Sequence, residues 1–360
     1  MIRLFTPGPV HVPQPVLDAA ARYPLYHHSA EFSNLCQRVW QKLQHVFCTN
    51  SPVVLLPGSG MTGIDAAFRS VLKPKDHVLV ISHGRFGERL VQVSERAGYV
   101  TYHRSFEWGL APTADDVTEA LRSFPQTTVL WIVYSETSTG VTVNLQEIAA
   151  SVRQEAPHVL LCIDAVTALA IHTLQTDAWG LDVVAAGIQK GLMCPPGLAC
   201  LSLSQRAQQR LHEQPRTAYT LDLMTVLDAQ QSGKRFAWTP PVTLVAALET
   251  ALDLILSEGL DAVIERHRAN WIATRSFIHA SGLRPFGESS SFAVSVALHC
   301  QADQIRSTLA EQYRFMVAGG QERLSGSAIR IGTCGAVSPA DLNELFSALA
   351  NVLTLFPDKR

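Results

Sequence analysis

Five short apolar runs, at residues 53–56, 78–81, 129–133, 160–163 and 183–186, are the feature that most constrains how this chain folds. They are rich in β-branched residues and nearly free of charge, as strands covered on both faces must be. Stretches of helical length, such as 115–122 and 145–153, lie between them. Strand and helix alternating in this way predict an α/β fold with an open, mostly parallel sheet. Beyond about residue 256 the texture changes. A long helical segment at 259–280 precedes the strand-like SSFAVSVAL, a helix at 302–312, a strand at 328–331 and a closing helix from Pro339. That order suggests a smaller α+β domain. At roughly 150 residues per domain, the 360 residues divide into an N-terminal segment 1–14, a large domain 15–257 and a small C-terminal domain 258–360.

Charge and cysteine usage exclude several function classes. Twenty-nine basic side chains balance 31 acidic ones with no run of like charge, so the electrostatic footprint for nucleic acid or an anionic membrane is missing. The seven cysteines are odd in number, lie mostly in apolar runs and form no CxxC pair. This favours buried thiols in a reducing cytoplasm over a disulfide framework or a zinc site. The N-terminal MIRLFTPGPVHVP has a Pro-Gly-Pro kink where a signal peptide needs an apolar core, and the terminal PDKR matches no sorting address. The most membrane-like stretch, 158–176, is broken by Asp164, His172 and three threonines, and is expected to be a buried strand leading into a helix.

In an open parallel sheet, ligands sit outside the carboxyl ends of the strands. The first run ends in Pro57-Gly58-Ser59-Gly60-Met61-Thr62-Gly63 and passes into a helical pattern, a combination that offers backbone N–H groups and a helix dipole to a phosphate. The second leads into Ser82-His83-Gly84-Arg85-Phe86-Gly87, which places an aromatic ring on a loop beside that anion site. Ser135-Glu136-Thr137-Ser138-Thr139-Gly140 follows the third as a cluster of hydroxyls. Asp164 closes the fourth, and the fifth leads through Gly187-Ile188-Gln189 to Lys190. Singly, each has an ordinary structural explanation. GxGxxG marks a tight turn or a dinucleotide site, Asp164 suits a helix N-cap, and lysines are mostly exposed. Together, a phosphate cradle, a ring, a carboxylate and a lysine at strand ends of one sheet match what pyridoxal phosphate requires.

Over essentially its whole length the chain resembles the class V aminotransferases of the aspartate aminotransferase fold (fold type I), and within them the alanine:glyoxylate and serine:glyoxylate group. The resemblance is carried, in order, by TPGPVHVP, HHSAEF, GSGMTGIDAA, SHGRFGER, SETSTG, IDAV, GIQKGLMCPPG, TPPV and RIGTCG. It implies that Lys190 is the Schiff-base lysine and that Asp164 pairs with the pyridine nitrogen. Val166 and Phe86 would flank the ring, and Thr137 would reach its phenolic oxygen. Ser59, Gly60 and Gln189 would take the phosphate, with Met61 also in the cofactor site. Thr239 would reach across a homodimer interface to the neighbour's phosphate, Arg330 would grip the substrate α-carboxylate, and Gly8 would lie where the N-terminal segment closes over the substrate. The activity implied is transfer of an amino group from a small amino acid, alanine or serine, to a small 2-oxo acid, glyoxylate or pyruvate.

Three positions depart from that group: Phe236 stands where a tyrosine contacts the phosphate, Phe86 where tryptophan is frequent, and His28 where arginine is common. Rival readings come from other classes. A nicotinamide-dependent dehydrogenase would need an acidic residue at the end of the next strand, but HVLVIS ends in Ser82. A desulfurase or related lyase of the same fold would need a nucleophilic cysteine shortly before Arg330, and residues 301–329 contain none. A 2-aminoethylphosphonate:pyruvate-type transaminase is the nearest competitor within amino transfer. A non-catalytic binding protein of this fold would have no use for Lys190. Cys194, four residues after Lys190, is expected to be a buried thiol rather than a reactive one.

Overall fold

A computed structural model describes residues 2–357 except 214, 215, 217, 234 and 289; the last three residues of the PDKR terminus lie outside it. Fourteen strands are described: β1 (Arg3–Phe5), β2 (Val53–Gly58), β3 (His77–Ser82), β4 (Val100–Ser105), β5 (Val129–Val133), β6 (Ser135–Glu136), β7 (Val141–Thr142), β8 (Leu160–Asp164), β9 (Val183–Gly187), β10 (Gly197–Leu203), β11 (Arg284–Pro285), β12 (Val294–Leu298), β13 (Phe315–Gly319) and β14 (Ala328–Gly332). The five apolar runs become β2, β3, β5, β8 and β9. Two further strands complete their sheet, in the order β2-β10-β9-β8-β5-β3-β4. One is β4, an edge strand whose exposed polar residues lack the buried signature. The other is β10, antiparallel to both β2 and β9. Because β10 reverses direction twice over, β2 runs the same way as β9, and the remaining pairs are all parallel. Every strand end singled out above therefore opens on one edge.

Alternation along the strands explains why this sheet is uncharged on both faces. Leu55, Leu79, Ile81, Leu130, Ile132, Leu161 and Ile163 pack into one cluster, which the helix Ala30–Phe47 covers with Phe32, Leu35, Val39 and Leu43. Their neighbours Val54, Leu56, Val78, Val80, Val129, Trp131 and Cys162 pack into another on the opposite face, against the helix Gly60–Val71. There the Trp131 ring stacks on Phe68, with centroids 4.9 Å apart.

The second sheet has the order β1-β13-β14-β12-β11, so residues 3–5 pair with β13 rather than standing apart from it. The helix Leu260–Ala280 and the closing helix Pro339–Leu355 flank it. The closing helix opens on Ser338, whose hydroxyl accepts from Asp341 N. The sheets are joined beside the site by two reciprocal ion pairs, Arg85 to Glu322 at 2.8 Å and Arg323 to Glu88 at 3.0 Å.

One expectation is corrected. The stretch after Asp164 forms successive turns, not a helix. Ala170 takes a left-handed conformation, φ 58°, which interrupts any helical run, and Asp164 Oδ1 accepts from Val166 N two residues on, as in an Asx turn, instead of capping a helix. No helix among the described residues is long and apolar enough to cross a membrane. All seven cysteines are free; Cys194 is buried as expected, but Cys48 is half-buried and Cys300 is exposed just past β12.

Candidate active site

A cavity of about 200 Å³ opens at the carboxyl edge of the large sheet, lined by Ser59, Gly60, Met61, Phe86, Arg89, Val133, Ser135, Asp164, Val166, Thr167, Gln189 and Lys190. The strand–helix junction after β2 supplies Ser59, Gly60 and Met61 to it. Ser59 is the N-cap of the helix Gly60–Val71, and its backbone N–H donates to Thr62 Oγ1. Gly60 is there because of a close approach: a Cβ at this position would lie 2.4 Å from Val166 Cγ2. Phe86 stands on the first turn of the helix Arg85–Arg96, not on a loop, and the Arg89 guanidinium lies 4.9 Å from its ring centroid.

Asp164 ends β8 and is buried. Burial raises its carboxyl to about 6; the Val166 amide, Lys190 and Arg89 pull the other way while Glu136 adds to the rise. Lys190 follows β9. Burial lowers its ammonium to about 8, with Arg330 acting in the same sense and Asp164 against it. Its Nζ donates to the carbonyl of Pro7 at 2.7 Å, and a Cβ on Gly8, whose φ is 136°, would come within 2.4 Å of Lys190 Cδ, Cε and Nζ. The strap continues with Val10 N donating to Gln189 O at 3.3 Å. Arg330 on β14 is buried, donating from Nε to Gly319 O at 2.6 Å and from Nη1 to Thr137 O at 3.0 Å. Burial lowers its guanidinium to about 10.

The cavity thus brings together Ser59, Gly60, Met61, Phe86, Asp164, Val166, Gln189 and Lys190. Gly8 reaches it by packing on Lys190. Thr137 and Arg330 are not among its lining residues; both are buried and joined by their own hydrogen bond. Thr239 is exposed, with Oγ1 3.3 Å from His27 Nε2, and it does not line this cavity. Sequence reasoning did not assign Arg89, Val133, Ser135 and Thr167 to the lining, and it missed the Pro7 carbonyl and Glu136, whose place inside the SETSTG hydroxyl cluster was the available signal.

These residues fit pyridoxal phosphate. Gln189, which lines the same cavity as Ser59 and Gly60, has a buried Oε1 without a hydrogen-bond partner, and such orphaned acceptors are uncommon unless a ligand or water completes them. The glycine at 60 leaves the helix N-terminus open to an anion.

Sheet order, cavity position and this donor set define a pyridoxal-phosphate enzyme of fold type I. Residues 2–332 match the family model described as aminotransferase class-V, and the chain belongs to that family. It is 36% identical over 358 residues to a "Soluble hydrogenase 42 kDa subunit" of Anabaena cylindrica, covering 98% of this chain and 93% of that protein. To the serine–glyoxylate aminotransferase of Methylorubrum extorquens it is 30% identical over 357 residues, 95% of this chain and 87% of the relative. Among solved structures it is similar to an alanine–glyoxylate aminotransferase from Nostoc sp., with TM-score 0.93 and 28% identity over 98% of this chain and 95% of the other. The chain is a pyridoxal-phosphate-dependent aminotransferase of class V.

Proposed function

We propose that this aminotransferase moves an amino group from a small amino acid, alanine or serine, to a small 2-oxo acid, glyoxylate or pyruvate, in two alternating half-reactions on Lys190. The observation that carries this reading is a half-buried lysine with a lowered pKa that lines one cavity with a buried carboxylate and a helix N-terminus. The names of the Methylorubrum and Nostoc relatives support glyoxylate as acceptor. A lysine, a carboxylate and a phosphate cradle favour amino transfer over the reading that the name of the Anabaena relative suggests.

When bound, the cofactor supplies an electron sink for the substrate α-carbon. Ser59, the N–H groups of the helix that starts at Gly60, and the Gln189 amide hold its phosphate, with Met61 at the edge. Asp164 holds a proton at the pyridine nitrogen. Val166 and Phe86 flank the ring, and Thr137 reaches the phenolic oxygen. Lys190 carries the proton to and from the substrate α-carbon, a task that a pKa near the working pH suits. Arg330 takes the α-carboxylate, for which its planar fork is matched. The Pro7–Gly8 strap covers Lys190 and keeps bulk water from it. Thr239, which does not line this cavity, serves the phosphate of a second copy, so the working form is a homodimer. The large domain 15–257 then carries the cofactor while the small domain 258–360 brings Arg330. A reducing cytoplasm suits seven free thiols.

The test is the visible absorption spectrum of the purified protein before and after L-alanine. A yellow band that gives way to the pyridoxamine form supports donor and half-reaction together. A band unchanged by alanine and by serine sinks the proposed donors and moves the search to aminoethylphosphonate.

A further inference from the structure

A carboxylate with no assigned role adjoins two lining residues of the cavity, Ser135 in the chain and Phe86 through a hydrogen bond. Glu136 is fully buried, and both of its oxygens are engaged. Oε2 accepts the backbone N–H of Phe86 at 2.9 Å and of Gly87 at 3.1 Å. Oε1 accepts the Ser138 N–H at 3.1 Å and the Ser138 hydroxyl at 2.6 Å. That hydroxyl in turn accepts Arg85 N–H at 2.9 Å. The three leading N–H groups of the helix Arg85–Arg96, which have no intrahelical partner, are all satisfied by this one carboxylate and its serine. An anion there also complements the helix dipole.

The arrangement is built for this side chain. A Cβ at Gly84 would lie 2.3 Å from Glu136 Cγ and 2.6 Å from Ser138 Oγ, so only glycine at 84 admits it. On its other side, Glu136 is followed by Thr137, whose carbonyl holds Arg330 Nη1. A simple N-cap needs neither complete burial nor a connection to the second sheet. An exposed serine or aspartate would cap the helix as well.

We propose that Glu136 is a positioning residue: it ties the turn that carries Phe86 to the loop that carries Thr137 and holds Arg330, so that one buried carboxylate sets the spacing between the ring-stacking group and the substrate-carboxylate grip. The proposal rests on the cofactor and substrate roles given to Phe86, Thr137 and Arg330 above. Its consequence is coupling. Loosening Glu136 disturbs cofactor orientation and substrate affinity together, although the side chain touches neither.

Glu136→Gln turns one acceptor oxygen into a donor that faces N–H groups, so one of the two sides must detach. Ser138→Ala removes only the hydroxyl relay to Arg85 and is the milder second variant. Each protein, freed of cofactor, is titrated with pyridoxal 5′-phosphate, and the visible circular dichroism of the bound cofactor and the KM for amino donor are measured. Glu136→Gln is expected to raise the Kd for the cofactor about tenfold, change the visible circular dichroism per bound cofactor, and raise KM about tenfold. Ser138→Ala should move all three the same way by about threefold. A purely structural role would lower thermal stability while leaving dichroism and KM as in the parent protein. That result in Ser138→Ala, or in Glu136→Gln, overturns the proposal, and if Glu136→Gln does not fold, Ser138→Ala alone decides. A parent protein that takes up no pyridoxal phosphate would instead remove the functional reading, and this one with it.

Discussion

Lys190 Nζ donates to the carbonyl oxygen of Pro7 at 2.7 Å, joining this lysine of the cavity lining to a strap 183 residues earlier in the chain. The strap is held independently of the lysine. β1 pairs with β13, and a Cβ on Gly332 would lie 2.2 Å from the Thr6 carbonyl carbon. The N-terminal segment therefore arrives at Lys190 already fixed by the second sheet, two residues from Arg330.

Gly8→Ala should be costly at the site and cheap elsewhere. The new methyl would sit 2.3 to 2.4 Å from three Lys190 atoms at a φ of 136°, which L residues rarely adopt. Either the strap lifts or the lysine turns away. Turnover is expected to fall by at least about tenfold, the cost of roughly 1.4 kcal/mol in the barrier, with an unchanged far-ultraviolet spectrum. Wild-type turnover in a folded variant would show that the strap does not constrain Lys190.

Only a neutral amine attacks an aldehyde, and burial brings Lys190 from its ordinary 10.5 to about 8. The rate of cofactor uptake by the ligand-free protein should rise with pH and level off above about 8. Stopped-flow absorbance between pH 6.5 and 10 measures this. A rate still climbing steeply at pH 10 contradicts a lowered pKa. Lys190→Ala should lower turnover by about a thousandfold or more, and appreciable residual transamination would sink the assignment.

Arg330→Ala is expected chiefly to raise KM for carboxylate substrates, by about tenfold or more, since a charge-assisted fork is lost. The same change releases Thr137 O and Gly319 O, so a lower melting temperature should accompany it. A variant that melts early but keeps its KM would leave Arg330 a structural residue only.

Asp164→Asn should separate stability from function. The folded carboxyl titrates at about 6 against 3.8 in its ordinary state. A raised pKa means that stability is fully present below about pH 3.8 and is lost as pH rises through 6, so at neutral pH the ionised group costs about 3 kcal/mol. The asparagine variant, freed of cofactor, is expected to melt a few degrees higher at pH 7.5 and to lose the dependence between pH 4 and 6, while turnover collapses. Thermal melts across that range check the sign; a lower melting temperature at pH 7.5 refutes it.

The sequence by itself determined the local parts. Short uncharged runs rich in β-branched residues suit strands buried on both faces, so β2, β3, β5, β8 and β9 were legible. So was the glycine-rich entry into the helix at Gly60, because a strand–turn–helix junction is built from neighbours in the chain. Lys190 and Asp164 stood out only in combination, each lying at or just beyond the end of such a run. The tertiary structure decided what meets across long separations. Nothing in GLACLSL says that β10 runs antiparallel between β2 and β9, yet that insertion aligns the carboxyl ends on one edge. Nothing local to Pro7 marks its carbonyl for Lys190, since every residue has one. Glu136 had a polar neighbourhood in the sequence, but its function as an acceptor for Phe86 and Gly87 exists only once strand β6 and the helix Arg85–Arg96 are packed together. Apolar patterning acts over a few residues through burial, whereas a hydrogen bond between distant segments is specified only by the packed chain.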